Sequence, residues 1–120
     1  MGEASVKTTL RIDFPNGIRL GPGKADLLGL VAEHGSISAA GAAMGMSYRR
    51  AWLLIDEINH MFREPSVVTR HGGKAGGGAE LTPFGQDLLS RYRSMEAAAR
   101  AAIDADLTYL CDALSATKPD

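Results

Sequence analysis

Along the 120 residues the spacing of apolar positions changes several times, and each change predicts an element. Between Lys7 and Phe14, Leu10, Ile12 and Phe14 alternate with polar neighbours; Pro15-Asn16-Gly17 interrupts and Ile18-Arg19-Leu20 resumes. Alternation broken at Asn-Gly predicts a small β-hairpin. After Gly21-Pro22-Gly23, the residues Leu27, Leu28, Leu30, Val31 and Ala32 form one helical stripe, and His34-Gly35 supplies a polar last turn and a stop. A helix from about Gly23 to His34 follows. Ser36 and Ser38 are alternative N-caps for a very short helix of small side chains, Ala39 to Met44, which Gly45 ends. Ser47 caps the next helix almost at once, so two helices meet across a tight turn.

That third helix is expected from Tyr48 to Phe62, with Ala51, Leu54, Ile55, Ile58, Met61 and Phe62 on one face and Arg49, Leu53, Asp56 and His60 on the other. Tyr48 and Trp52 are each open to two readings, a ring that stacks on sugars or a core aromatic at helical spacing; Trp52 reads as core, and Tyr48 stands evenly between the two. Pro65 closes the helix, Ser66 to Arg70 reads as a strand, and Gly72 to Gly78 forms a glycine-rich tip before a short strand, Ala79 to Leu81. From Thr82 and Pro83 a helical pattern continues to Leu114 with no Gly or Pro after Gly85. About 32 helical residues would extend roughly 48 Å, longer than so small a domain is wide. The apolar stripe of that helix therefore needs cover from outside its own fold.

Hairpin, helix, short helix, tight turn, longer helix, hairpin, long helix is the order of a winged helix-turn-helix. The predicted class is mainly α with small β-hairpins. Residues 1–82 form the winged DNA-binding domain, 83–116 a long C-terminal dimerisation helix, and 117–120 a polar tail.

Charge sharpens this picture. The whole chain balances 13 Lys and Arg against 14 Asp and Glu for a net charge of −1. Residues 47–79 nevertheless carry five basic against three acidic side chains, and residues 80–120 four against seven. A basic middle beside an acidic end suits a polyanion that touches only the middle. The groove-facing turn of a helix-turn-helix is the start of its second helix, which here places Ser47, Tyr48, Arg49 and Arg50 against DNA, Arg49 on a guanine edge and Arg50 on phosphate. Leu53, one turn on, is placed to meet a thymine methyl. Ser36 and Ser38 at the preceding helix start, and Arg70, His71 and Lys74 on the wing, complete the expected DNA-facing set. The expected dimer stripe is Leu88, Tyr92, Met95, Ala99, Ala102, Ile103, Leu107, Leu110 and Leu114.

Other chemistry finds little support. The glycine-rich tip lies between two strands and fits neither GxxxxGK[ST] nor GxGxxG. His34, His60 and His71 stand apart from any nucleophile motif, and the adjacent Asp56 and Glu57 point in different directions, so no enzyme is expected. A lone Cys111, read as core, allows no internal disulfide, and neither metal nor cofactor is expected. Apolar runs such as Leu27 to Ala32 fall far short of the ~20 residues of a membrane span, and the N-terminus has no secretory h-region, so the expected location is cytoplasmic.

Three stretches carry a more specific resemblance. Gly35-Ser36-Ile37-Ser38-Ala39-Ala40, Met44-Gly45-Met46-Ser47-Tyr48-Arg49-Arg50-Ala51-Trp52, and Gly72 through Lys74 to Gly85 resemble the DNA-binding domain of ModE-type molybdate-responsive regulators, itself related to the LysR-type DNA-binding domain. The resemblance runs from about Leu20 to Met95. It implies sequence-specific binding to double-stranded DNA as a homodimer, with repression by occlusion as the expected mode. Family members continue into paired β-barrels that bind molybdate or tungstate, whereas these 120 residues stop after the long helix. The expectation is a ModE-like regulator without that oxyanion domain, its signal coming from a separate effector-sensing protein, from another small-molecule ligand, or from neither. Two alternatives stay open: a winged-helix protein-interaction module, and a small-ligand sensor that binds at the dimer interface.

Overall fold

A computed structural model describes residues 6–70 and 78–115. Two short strands open the chain, β1 (Ile12–Asp13) and β2 (Arg19–Leu20), paired antiparallel with Ile12 opposite Leu20. Gly17 makes the turn at a φ of 83°, a conformation that costs glycine nothing. The ladder is shorter than the alternation predicts because the residues before it are used elsewhere. The Tyr92 hydroxyl donates to the Leu10 carbonyl at 2.6 Å, and Arg100 Nη1 donates to the Val6 carbonyl at 3.1 Å.

Helix α1 (Pro22–His34) starts with proline in its first turn and stops at Gly35, whose φ of 69° lets its N–H reach the Val31 carbonyl. It buries Ala25, Leu27, Leu28 and Val31. Helix α2 (Ile37–Ala43) is capped by Ser36, and α3 (Tyr48–Asn59) by Ser47, each hydroxyl accepting a backbone N–H at 3.1 Å. Between them Gly45 adopts a φ of 73° and the Met46 N–H returns to the Gly41 carbonyl at 2.9 Å. A Cβ on Gly41 would stand 2.5 Å from the Ala51 Cβ, so glycine opposite alanine is what lets the two helices approach this closely.

Strand β3 (Val67–Arg70) pairs antiparallel with β4 (Gly78–Leu81), Val67 facing Leu81 and Arg70 facing Gly78. The wing is fastened at both strands. Asn59 accepts from the N–H groups of Ser66 and Val67 and donates to the Val67 carbonyl, all at 2.8 to 2.9 Å, while the Ala79 N–H donates to the Gly35 carbonyl at 2.9 Å. Helix α4 (Pro83–Ala102) begins at Thr82, whose hydroxyl accepts the Gly85 N–H and donates to the Pro65 carbonyl. A side chain at Gly85 would collide with the Ser66 carbonyl. The result is a winged helix-turn-helix with a mainly α composition. Its core joins Leu20, α1, Ile37, Ala40, the inner face of α3, Val67, Leu81 and Tyr92.

Five expectations are corrected. The continuous C-terminal helix divides at Ile103 (φ −104°, ψ 7°), and α5 (Asp104–Asp112) follows. Asp104 and Asp106 lie in the first turn of α5, where carboxylates oppose the positive end of the helix dipole, and Asp is a weak helix former elsewhere; a fresh start at this point suits them better than an unbroken helix. Tyr92, assigned to a dimer stripe, is 1% exposed within its own fold, and burial, with the nearby Glu96 carboxylate next in weight, raises its hydroxyl pKa above the ordinary 10.0. Cys111 is half-buried on α5 and belongs to no core. Trp52, expected inside, is 38% exposed. It follows Ala51 by one helical step of about 100°, enough to carry its ring off the buried face. Helix α3 also ends three residues early, because Asn59 turns from helix to wing fastener.

Candidate nucleic-acid interface

The exposed start of α3 is the feature that the rest of the head holds in place. Ser47 points its hydroxyl at the Arg50 N–H, which fixes the first turn and leaves Tyr48, Arg49 and Arg50 facing solvent. Among the described residues no carboxylate lies within ion-pairing distance of Arg49 or Arg50, although surface arginines elsewhere in the chain are paired, Arg91 with Asp87 and Arg93 with Asp26. Two unneutralised guanidinium groups on one helix start are available to an outside anion. Leu53 continues the same outer face at 56% exposure.

The carboxylates of α3 lie toward its other end. Glu57 is tied to Lys24 at 2.7 Å, bridging α3 to α1, and Asp56 stands 3.6 Å from His60. Asp56 follows Arg49 by seven residues, about 10 Å along the axis. A polyanion approaching α3 is thus attracted at the N-terminal half and met by negative charge farther on, which favours entry of the helix start.

The remaining expected residues divide. The Ser36 hydroxyl is engaged as an N-cap, Ser38 is exposed, and Arg70 on β3 reaches across the hairpin to Glu80. That ion pair takes part of the cationic character that the sequence suggests for Arg70. His71 and Lys74 lie outside the described residues. Ser36, Ser38, Tyr48 and Arg70 come together, joined by Ile37, Trp52, Thr69, Gly78 and Ala79, around a slot of about 310 Å³ between α2, α3 and the wing. Arg49, Arg50 and Leu53 do not line it.

Sequence reasoning weighed Trp52 as a sugar-stacking ring but favoured the core, and it missed two contributors. Thr69 carried no signal beyond its strand. Asn59, which sets the wing against α3, could have been noticed as a polar residue at the apolar edge of a helix.

On the stripe expected to pair two copies, Leu88 packs on the core and Leu107 is half-buried. Met95, Ala99, Ala102, Ile103, Leu110 and Leu114 are exposed. Among the described residues no group of three His, Cys, Asp or Glu side chains is placed to hold a metal ion, and no helix is long and apolar enough to cross a membrane.

No family model matches the chain. Individual relatives do. It is 43% identical over 81 residues to the molybdenum-pterin-binding protein MopB of Rhodobacter capsulatus, covering 68% of this chain and 30% of that one. It is 35% identical over 95 residues to the molybdenum transport protein ModE of Azotobacter vinelandii, covering 79% and 35%. It is 42% identical over 71 residues to the DNA-binding transcriptional dual regulator ModE of Escherichia coli K12, covering 59% and 27%. Its relatives are ModE and Mop proteins. The chain spans about a third of the length of these curated relatives, as the 30% and 35% coverages state.

Proposed function

We propose that this chain is a sequence-specific DNA-binding transcriptional regulator, a homodimeric repressor that occludes its operator, in the control of genes connected with molybdenum. The observation that carries the reading is the pair of unneutralised guanidinium groups, Arg49 and Arg50, at the exposed start of the second helix of a helix-turn-helix. A major groove admits one α-helix, and the N-terminal residues of that helix meet base edges and phosphates first. Arg49, on the outermost line of α3, reads a base edge, and Leu53 follows it into the groove. Arg50, on the flank, holds a phosphate, with Ser38, Arg70, His71 and Lys74 supplying further backbone contacts.

Residues 1–82 form the DNA-binding unit in this reading and 83–116 the dimerisation arm. The exposed apolar residues of α4 and α5 support the second half of it, because a second copy is the simplest cover for them. Two-fold symmetry then sets two recognition helices on successive major grooves, about 34 Å apart or a multiple of that. The names of the relatives support the link to molybdenum and to transcription.

Titration of the full chain with a duplex at several salt concentrations tests the reading. The logarithm of the affinity is expected to fall linearly with the logarithm of salt, by about 0.9 per phosphate contacted. Arg50→Ala should reduce that slope on any sequence, whereas Arg49→Ala should cost about 1 to 3 kcal/mol on a selected operator and much less on random DNA. Binding that ignores salt and survives both substitutions would leave the winged fold as a protein-docking module.

A further inference from the structure

The slot between α2, α3 and the wing has no part in the contacts assigned to Arg49, Arg50 and Leu53, and its chemistry is unusual for a protein surface. Tyr48 and Trp52 form its aromatic wall, one helical turn apart, with ring centroids 6.0 Å from each other and planes at 63°. Both rings are exposed, at 63% and 38%. The buried Ile37 and Ala79 add apolar surface, and Ser38, Thr69 and the Arg70 guanidinium add polar groups. None of the described residues that line it is acidic. Apolar rings beside hydroxyls and a guanidinium that Arg70 shares with Glu80, at the helix start that also carries the unpaired Arg49 and Arg50, match a ligand that alternates uncharged rings with anionic links.

We propose that this slot seats a stretch of the DNA sugar–phosphate backbone, with Tyr48 and Trp52 packed against deoxyribose and Thr69 and Arg70 directed at the flanking phosphate. The proposal rests on the DNA-binding reading and extends it by making Trp52 a DNA-contact residue. An aromatic face against a sugar contributes apolar burial without base information, so this contact strengthens binding to every sequence alike. It also accounts for a large aromatic side chain left half outside the core of a small domain, where an exposed Trp otherwise gains little.

Trp52 is the single tryptophan of the chain, so its emission reports on the slot alone. The 120-residue chain is titrated with a random-sequence duplex of about 20 base pairs at low salt, where electrostatic binding is strongest. Anisotropy of a labelled duplex follows binding independently of Trp52. On binding, Trp52 emission should change, and its quenching by acrylamide should fall. Trp52→Ala should weaken binding about three- to tenfold on random and operator duplexes equally, less than the loss of a fully stacked base, with the salt slope unchanged. Trp52→Phe should keep most of the affinity, whereas Trp52→Gln, which keeps bulk but has no ring, should lose as much as Trp52→Ala; Trp52→Gln serves as the deciding variant if circular dichroism shows Trp52→Ala unfolded.

Anisotropy that reports binding while Trp52 emission, acrylamide access and the affinity of the ringless variants stay the same would overturn the slot and leave the DNA-binding reading standing. A loss confined to one operator would make Trp52 a base reader and overturn the backbone role. No binding to any duplex at low salt would overturn the DNA-binding reading, and the slot with it.

Discussion

In the winged head Leu27, Leu28, Val31 and Ile58 are fully buried, whereas along the C-terminal arm Tyr109, Leu110 and Leu114 expose 72%, 57% and 71% of their surface. Both regions are rich in the same kind of side chain; what differs is the number of neighbouring elements. The head folds three helices and two hairpins over one another, so most of its apolar surface finds a partner in its own chain, with Tyr48, Trp52 and Leu53 on α3 left exposed. The arm leaves that cluster after the middle of α4 and stretches the molecule to 58 Å against 32 and 22 Å in the other directions. Apolar surface that a chain does not cover itself tends to mark a place where something else does. The arm is also acidic, with Asp104, Asp106 and Asp112 on α5, while the exposed end of α3 is basic. One end of this molecule is suited to an anion and the other to an apolar partner.

The largest expected effect tests the self-sufficiency of the head. Gly85→Val places a branched side chain against the Ser66 carbonyl, at the point where α4 crosses the entry to the wing. A loss of about 3 kcal/mol or more is expected, read in thermal melts as a drop of roughly 12 °C or more. A melt unchanged by this substitution would mean that α4 does not seat on the wing as described.

Next comes the arm. Leu107→Asp combined with Leu110→Asp should convert a dimer to monomers in sedimentation at tens of micromolar, while circular dichroism keeps the signal of a folded head, because neither residue belongs to its core. Operator binding should weaken together with dimerisation. Finding the unsubstituted chain monomeric at that concentration would remove the dimer, and the palindromic operator with it.

The smallest effect concerns the seam between the two regions. Tyr92 sits on α4 where head passes into arm, and Tyr92→Phe removes its hydrogen bond to Leu10 while keeping the ring. About 1 kcal/mol of stability should be lost near neutral pH. The hydroxyl pKa is raised in the folded state, so the neutral phenol is the form that folding favours. Its contribution is complete below the ordinary value of 10.0 and disappears as the pH climbs through the raised one. Alkaline unfolding should therefore be steeper for the native chain than for Tyr92→Phe; identical pH profiles would detach Tyr92 from the seam.

Much of the head was legible in advance because its signals are local. Ser36, Ser47 and Thr82 cap helices whatever lies around them, Gly35 and Gly45 take left-handed turns, and the Ala51, Ile55, Ile58 face repeats with the helical period. These features act within one or two turns of chain, so residue order alone was enough to place the helix-turn-helix and the exposed arginines at its second start. Contacts between distant segments were not legible. Tyr92 finds Leu10 across 82 positions, and a helical stripe cannot say whether the cover it needs comes from its own N-terminus or from another molecule. The position of Trp52 was hidden for a related reason: whether a ring a quarter-turn from the core is buried depends on what stands beside the helix, and here a slot bordered by the wing leaves it open. Period and capping determined the elements; only tertiary packing decided which of their faces were left to meet something else.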